Sequence, residues 1–136
     1  MPPVDRFSVS LDAELLAAFD HHITSRGYTN RSEAVRDLIR ESLLEARLDR
    51  AEEPVAAVLS IVCDHRQGSP YARIRARLGT HSDLTAGSLI MTIDAERDAV
   101  IIGLRGPSRR VQALANEIQA MRGVTLGRLS AVPLAQ

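Results

Sequence analysis

Lysine and tryptophan are missing from this chain, and cysteine occurs once, at Cys63. A lone cysteine excludes an internal disulfide framework and fits a reducing compartment, so a cytoplasmic location is expected. Aromatic residues make up only 3% of the chain, so its core must be built from aliphatic side chains. No apolar run approaches the roughly eighteen residues that a membrane span needs, and no charged-then-apolar leader or lipidation box is visible. No membrane partner is therefore expected. Also missing are a glycine-rich phosphate loop, a nucleophile elbow, a metal-hydrolase box and an acid-base pair, which together argue against an enzyme. The net charge is zero, so there is no overall basic field. Every one of the seventeen basic residues is arginine. That bias suits bidentate contacts to guanine or phosphate, and a GC-rich coding sequence produces it equally.

What is present is enough for one ordinary domain or two small ones: 136 residues, 45% of them hydrophobic. The organising stretch is residues 6–11. Phe7, Val9 and Leu11 alternate with Arg6, Ser8 and Ser10, the period-two pattern of a half-buried strand. Helical patterns begin directly after it, so nothing nearby in sequence can pair with it. An unpaired strand leaves backbone donors and acceptors unsatisfied, and the economical solution is antiparallel pairing with the same strand of a second copy across a two-fold axis. Such a ribbon fits the major groove of duplex DNA, with Arg6, Ser8 and Ser10 on its outer face.

Two helices follow. Asp12 is a good N-cap, Leu15, Leu16, Phe19 and Ile23 recur at helical spacing, and Gly27 stops the helix. His21 and His22 fall on its solvated face. Asn30 with Glu33 three residues later resembles a capping box for a second helix running to about residue 49. Strand, helix, cap-rich turn and helix make the ribbon-helix-helix layout, expected over 1–50 as the DNA-binding and dimerisation domain. The start of the second helix, with Arg31 and Ser32, is a natural phosphate clamp.

Residues 50–54, charged and ending in proline, mark the domain boundary. The pattern beyond reads as a buried strand over 55–62, then a short helix capped by Ser69 with Pro70 as its first residue. Tyr71, Ile74 and Leu78 form the inner face of that helix. Strands are expected at 88–93 and 99–104, then an amphipathic helix with Val111, Leu114, Ala115, Ile118 and Met121 inside, and a last strand over 124–132. The order βαββαβ is that of ferredoxin-like folds, expected over 54–136. The fold class is thus α+β. Two helices cover one sheet face, so association through the other is the default expectation.

The segments at 6–11 and 27–37, with Val58-Leu59-Ser60, Asp64-His65, Leu104-Arg105-Gly106 and Arg122-Gly123-Val124, resemble the bacterial nickel-responsive transcriptional regulators. The resemblance implies an ACT-like regulatory C-terminal domain, a homotetramer with a ribbon-helix-helix dimer at each end, and a two-part palindromic operator. It places Arg6, Ser8 and Ser10 at base-reading positions and Arg31 and Ser32 at backbone contacts. Glu33 and Asp37 match a carboxylate pair that holds a cation in some members.

Nickel in that family sits among three imidazoles and one thiolate, a set that suits square-planar Ni(II). The matching positions here are Gly79, Ile90, Thr92 and Asp98, and none is an imidazole or a thiolate. The expectation is a DNA-binding regulator without the high-affinity nickel site. Two alternatives stay open: an ACT-like sensor of a small organic molecule, or a sensor of another transition metal through Cys63, His65, Asp98 and His81, the last supplied by a neighbouring subunit. A third, an antitoxin-like repressor, sits poorly with so well patterned a second domain.

Overall fold

The structure is a computed structural model that describes residues 2–50 and 52–135. The expected boundary at 50–54 includes Ala51, which lies outside the described residues. By its internal contacts the chain divides into two compact units, the first ending at Ser42 and the second beginning at Leu43.

The first unit holds α1 (Ala13–Ser25) and most of α2 (Arg31–Leu48). Asp12 caps α1 as expected, its carboxylate accepting from the Leu15 amide at 2.8 Å. Gly27, at φ +85°, supplies the left-handed residue that ends the helix, which an L side chain would strain. Asn30 caps α2 by accepting from the Glu33 amide at 2.8 Å. Residues 2–12 carry no regular secondary structure, so the strand expected at 6–11 is not formed within one chain. The reason is the one that made the segment informative: the single described sheet does not include it, and a strand without a ladder partner is not a strand.

The unit also has almost no core. Ile23 and Ala34 are its buried apolar residues, while Phe7 and Val9 are 72% and 68% exposed and Leu15, Leu38 and Ile39 also face solvent. So much uncovered aliphatic and aromatic surface on so short a segment is the signature of a fold completed by association.

The second unit is β1 (Pro54–Asp64), a 3-10 turn (His65–Gln67), α3 (Tyr71–Thr80), β2 (Thr85–Thr92), β3 (Arg97–Pro107), α4 (Ser108–Gln119) and β4 (Val124–Pro133). The strands form one antiparallel sheet in the order β2-β3-β1-β4. Alternation does the sorting. Val55, Ala57, Leu59, Ile61 and Cys63 of β1 and Val100, Ile102 and Leu104 of β3 point at the helices, where Ile74, Val111, Leu114, Ala115 and Ile118 meet them. Val58, Leu126 and Val132 point the other way and remain exposed.

Two details differ from expectation. Ser69 does not cap α3. The Ile74 amide donates to the Pro70 carbonyl at 2.9 Å, so the helix begins at Tyr71, with Pro70 at the cap position and no side-chain acceptor there. The strands expected at 88–93 and 99–104 run over Thr85–Thr92 and Arg97–Pro107, because ladder hydrogen bonding sets their ends and not side-chain burial, and no β2 side chain is buried. Gly123 introduces β4 at φ +95°, and a Cβ there would lie 2.3 Å from the Gly68 carbonyl oxygen. Only glycine allows the turns at 68 and 123 to pass so closely.

Candidate functional site

Chemistry-bearing side chains converge at the end of the sheet where β1 runs into the 3-10 turn. Asp98, second residue of β3, sits opposite Cys63 of β1 on one side and Thr92 of β2 on the other. One Asp98 oxygen takes hydrogen bonds from two directions. The His65 Nε2 lies 2.9 Å away, and the Tyr71 hydroxyl donates from the first turn of α3. An ionised carboxylate can only accept, so Nε2 of His65 carries the proton in this contact. The His65 and Tyr71 rings pack at 5.6 Å between centroids.

Electrostatics follow from this placement. The Tyr71 hydroxyl and then the His65 imidazole hold the Asp98 carboxyl below its ordinary value of 3.8. Burial, followed by the hydrogen bond to Asp98, pushes the Tyr71 hydroxyl far up. Burial also raises the Cys63 thiol, and the Asp98 charge adds to it. Asp98 is thus a charged hub gripped from two sides, and Cys63 is a buried, protonated thiol. Next to it, Asp64 receives the Arg66 side chain in a fork at 3.0 and 2.7 Å and the Arg66 amide at 3.0 Å. These bonds drive its carboxyl down to about 2.

The four positions that the resemblance matches to nickel ligands hold no imidazole and no thiolate. Gly79 has no donor, Ile90 is hydrocarbon, Thr92 offers a neutral hydroxyl, and the one carboxylate, Asp98, is already shared by Tyr71 and His65. The relocated set fares no better within one chain. His81 lies at the far end of α3 from Tyr71, about 15 Å along a helix of that length, and its Nδ1 is 3.0 Å from the Arg77 carbonyl oxygen. Among the described residues no group of three or more His, Cys, Asp or Glu is arranged to hold a metal.

In the first unit, Arg6, Ser8 and Ser10 lie in the exposed segment before α1, alternating with Phe7, Val9 and Leu11. Ser32 is exposed at the start of α2. Arg31 is engaged: its Nε and Nη2 donate to the two Asp20 oxygens at 2.8 and 2.7 Å. Asp37 accepts from the Tyr28 hydroxyl at 2.7 Å and from Arg40 at 3.3 Å, while the Glu33 amide is used by the Asn30 cap. Sequence reading missed Tyr71 as a polar partner, because its spacing marked it as a core residue. The available signal was that a half-buried tyrosine hydroxyl needs an acceptor. It missed Asp20 because pairing across a helix hairpin follows no fixed spacing.

Similarity to known proteins spans both units. A family model described as "Ribbon-helix-helix protein, copG family" matches residues 5–46, and one described as "NikR C terminal nickel binding domain" matches residues 56–132. Relatives named "Putative nickel-responsive regulator" include one from Geotalea uraniireducens, 36% identical over 91% of this chain and 89% of the relative. One from Geobacter sulfurreducens is 35% identical over the same shares, and one from Pyrococcus abyssi is 33% identical over 91% and 90%. The solved C-terminal domain of the MgtC protein from Mycobacterium tuberculosis superposes with a TM-score of 0.45 at 15% identity, over 65% of this chain and 96% of that one. Among the described residues no helix is long and apolar enough to cross a membrane.

Proposed function

Because the chain belongs to the nickel-responsive regulator family, a ribbon-helix-helix segment joined to a NikR-type C-terminal domain, we propose that it is a sequence-specific DNA-binding transcriptional regulator whose DNA binding does not depend on nickel. Residues 6–11 of two copies pair as an antiparallel ribbon. Phe7, Val9 and Leu11 go to the inner face, and Arg6, Ser8 and Ser10 go to base edges in the major groove. Arg31 and Ser32 reach the phosphate backbone and fix the register. Two such dimers join through the open sheet faces of the C-terminal domains, around Val58, Leu126 and Val132, giving a tetramer suited to a two-part palindromic operator.

One observation carries this reading. Among the described residues, the first unit buries Ile23 and Ala34 alone while exposing Phe7, Val9 and Leu11 in strict alternation with hydrogen-bonding side chains. Two-fold pairing solves both problems at once, covering the apolar row and completing the backbone ladder. Independence from nickel is supported by the donor chemistry at Gly79, Ile90, Thr92 and Asp98. Selection of bound duplexes from a random pool is the test. The unchanged protein is expected to enrich an inverted repeat, and Arg6→Ala to relax the preference at the base pairs nearest the ribbon by roughly 1–3 kcal/mol. Unaltered discrimination by Arg6→Ala would refute the ribbon assignment.

A further inference from the structure

Arg31 is the phosphate-contacting residue that the free chain already employs elsewhere. Its guanidinium lies edge to edge with the Asp20 carboxylate, from the first residue of α2 to the middle of α1. The pair is open to water, with the side chains 59% and 42% exposed, so geometry rather than burial holds it and a competing oxyanion can reach it. A carboxylate and a phosphate present the same kind of paired oxygen acceptors to a guanidinium.

We propose that Asp20 is an internal competitor for the phosphate backbone of duplex DNA, occupying the Arg31 edge that a phosphate would take and so lowering the affinity of the protein for DNA of any sequence. The inference rests on the DNA-binding reading above. Binding exchanges one oxyanion for another at Arg31. The counterion that phosphate releases is offset by the cation that the vacated Asp20 attracts, so a paired arginine contributes less salt-dependent affinity than a free one. The two pairs of a dimer double the effect.

Affinity for a duplex lacking the operator, measured across a salt series, tests this. Asp20→Asn keeps the shape and removes the charge. It is expected to bind more than tenfold tighter at low salt, with log K against log salt steeper by about 1.8 per dimer, an advantage shrinking about tenfold between roughly 50 and 200 mM salt. Asp20→Glu, which keeps the carboxylate, is expected to stay near the unchanged protein. Glu14→Gln removes the same charge from the first turn of α1 and serves as the control for general electrostatics. In an Arg31→Ala background, Asp20→Asn is expected to have no more effect than Glu14→Gln. Weaker or unchanged binding by Asp20→Asn, an effect no larger than that of Glu14→Gln, or one that persists without Arg31 overturns the inference. Failure of the unchanged protein to bind duplex DNA at any salt would instead refute the DNA-binding reading itself.

Discussion

Replacing Tyr71 by phenylalanine removes one hydroxyl from the hub at Asp98 and leaves the ring in place. A hydrogen bond to a charged group contributes about 1.5–3 kcal/mol net, and Asp98 keeps His65 and some solvent access, so the loss is expected near the lower end, about 1–2 kcal/mol. With a urea m-value of roughly 1–3 kcal/mol/M, the unfolding midpoint at neutral pH falls by about 0.5–1 M.

The pH dependence gives a second readout with a definite sign. Asp98 titrates below its ordinary value of 3.8 in the folded chain. Its charged form therefore contributes stability that is complete above the unfolded pKa and lost as the pH falls through the lower, folded one. Tyr71→Phe removes the largest single cause of that depression. The gap between variant and unchanged protein is expected to be full at pH 7 and to close as the pH drops below 3.8. Urea titrations monitored by far-UV circular dichroism at neutral and acidic pH would measure both. A midpoint unchanged within about 0.2 M, or a gap that does not close in acid, would show that the hydroxyl does not bind the ionised carboxylate.

Two further outcomes follow from the same architecture. Val9→Asp puts two carboxylates face to face where the ribbon places two valines. Losing about 1.5–3 kcal/mol of burial per side chain weakens subunit association by roughly 100-fold or more, read by sedimentation, and melts the first unit, which has no core of its own. Titration with Ni(II) is expected to give no square-planar absorption band and no saturable uptake at micromolar metal, and a tight square-planar complex would contradict the reading of Gly79, Ile90, Thr92 and Asp98.

Much of this was legible from residue order because local rules govern it. The caps at Asp12 and Asn30, the stop at Gly27 and the alternation Val55 to Cys63 are set by backbone geometry and side-chain period, and they specify elements without reference to the rest of the chain. Residues 6–11 declared from sequence alone that they need a partner, since no neighbour in the chain could supply a ladder. The absence of imidazole and thiolate at Gly79, Ile90, Thr92 and Asp98 was likewise a matter of residue type at four positions.

Other facts depended on three-dimensional placement. Asp98 meets His65, Tyr71, Cys63 and Thr92 because antiparallel register and the start of α3 bring four separate stretches to one sheet end. Asp20 meets Arg31 because the angle between two helices happens to close on that pair. Side-chain period is a property of a segment, whereas a carboxylate's partners are a property of how segments pack. Composition and spacing could therefore determine where the elements lie and what they lack, and only the folded arrangement could decide which charges are already taken.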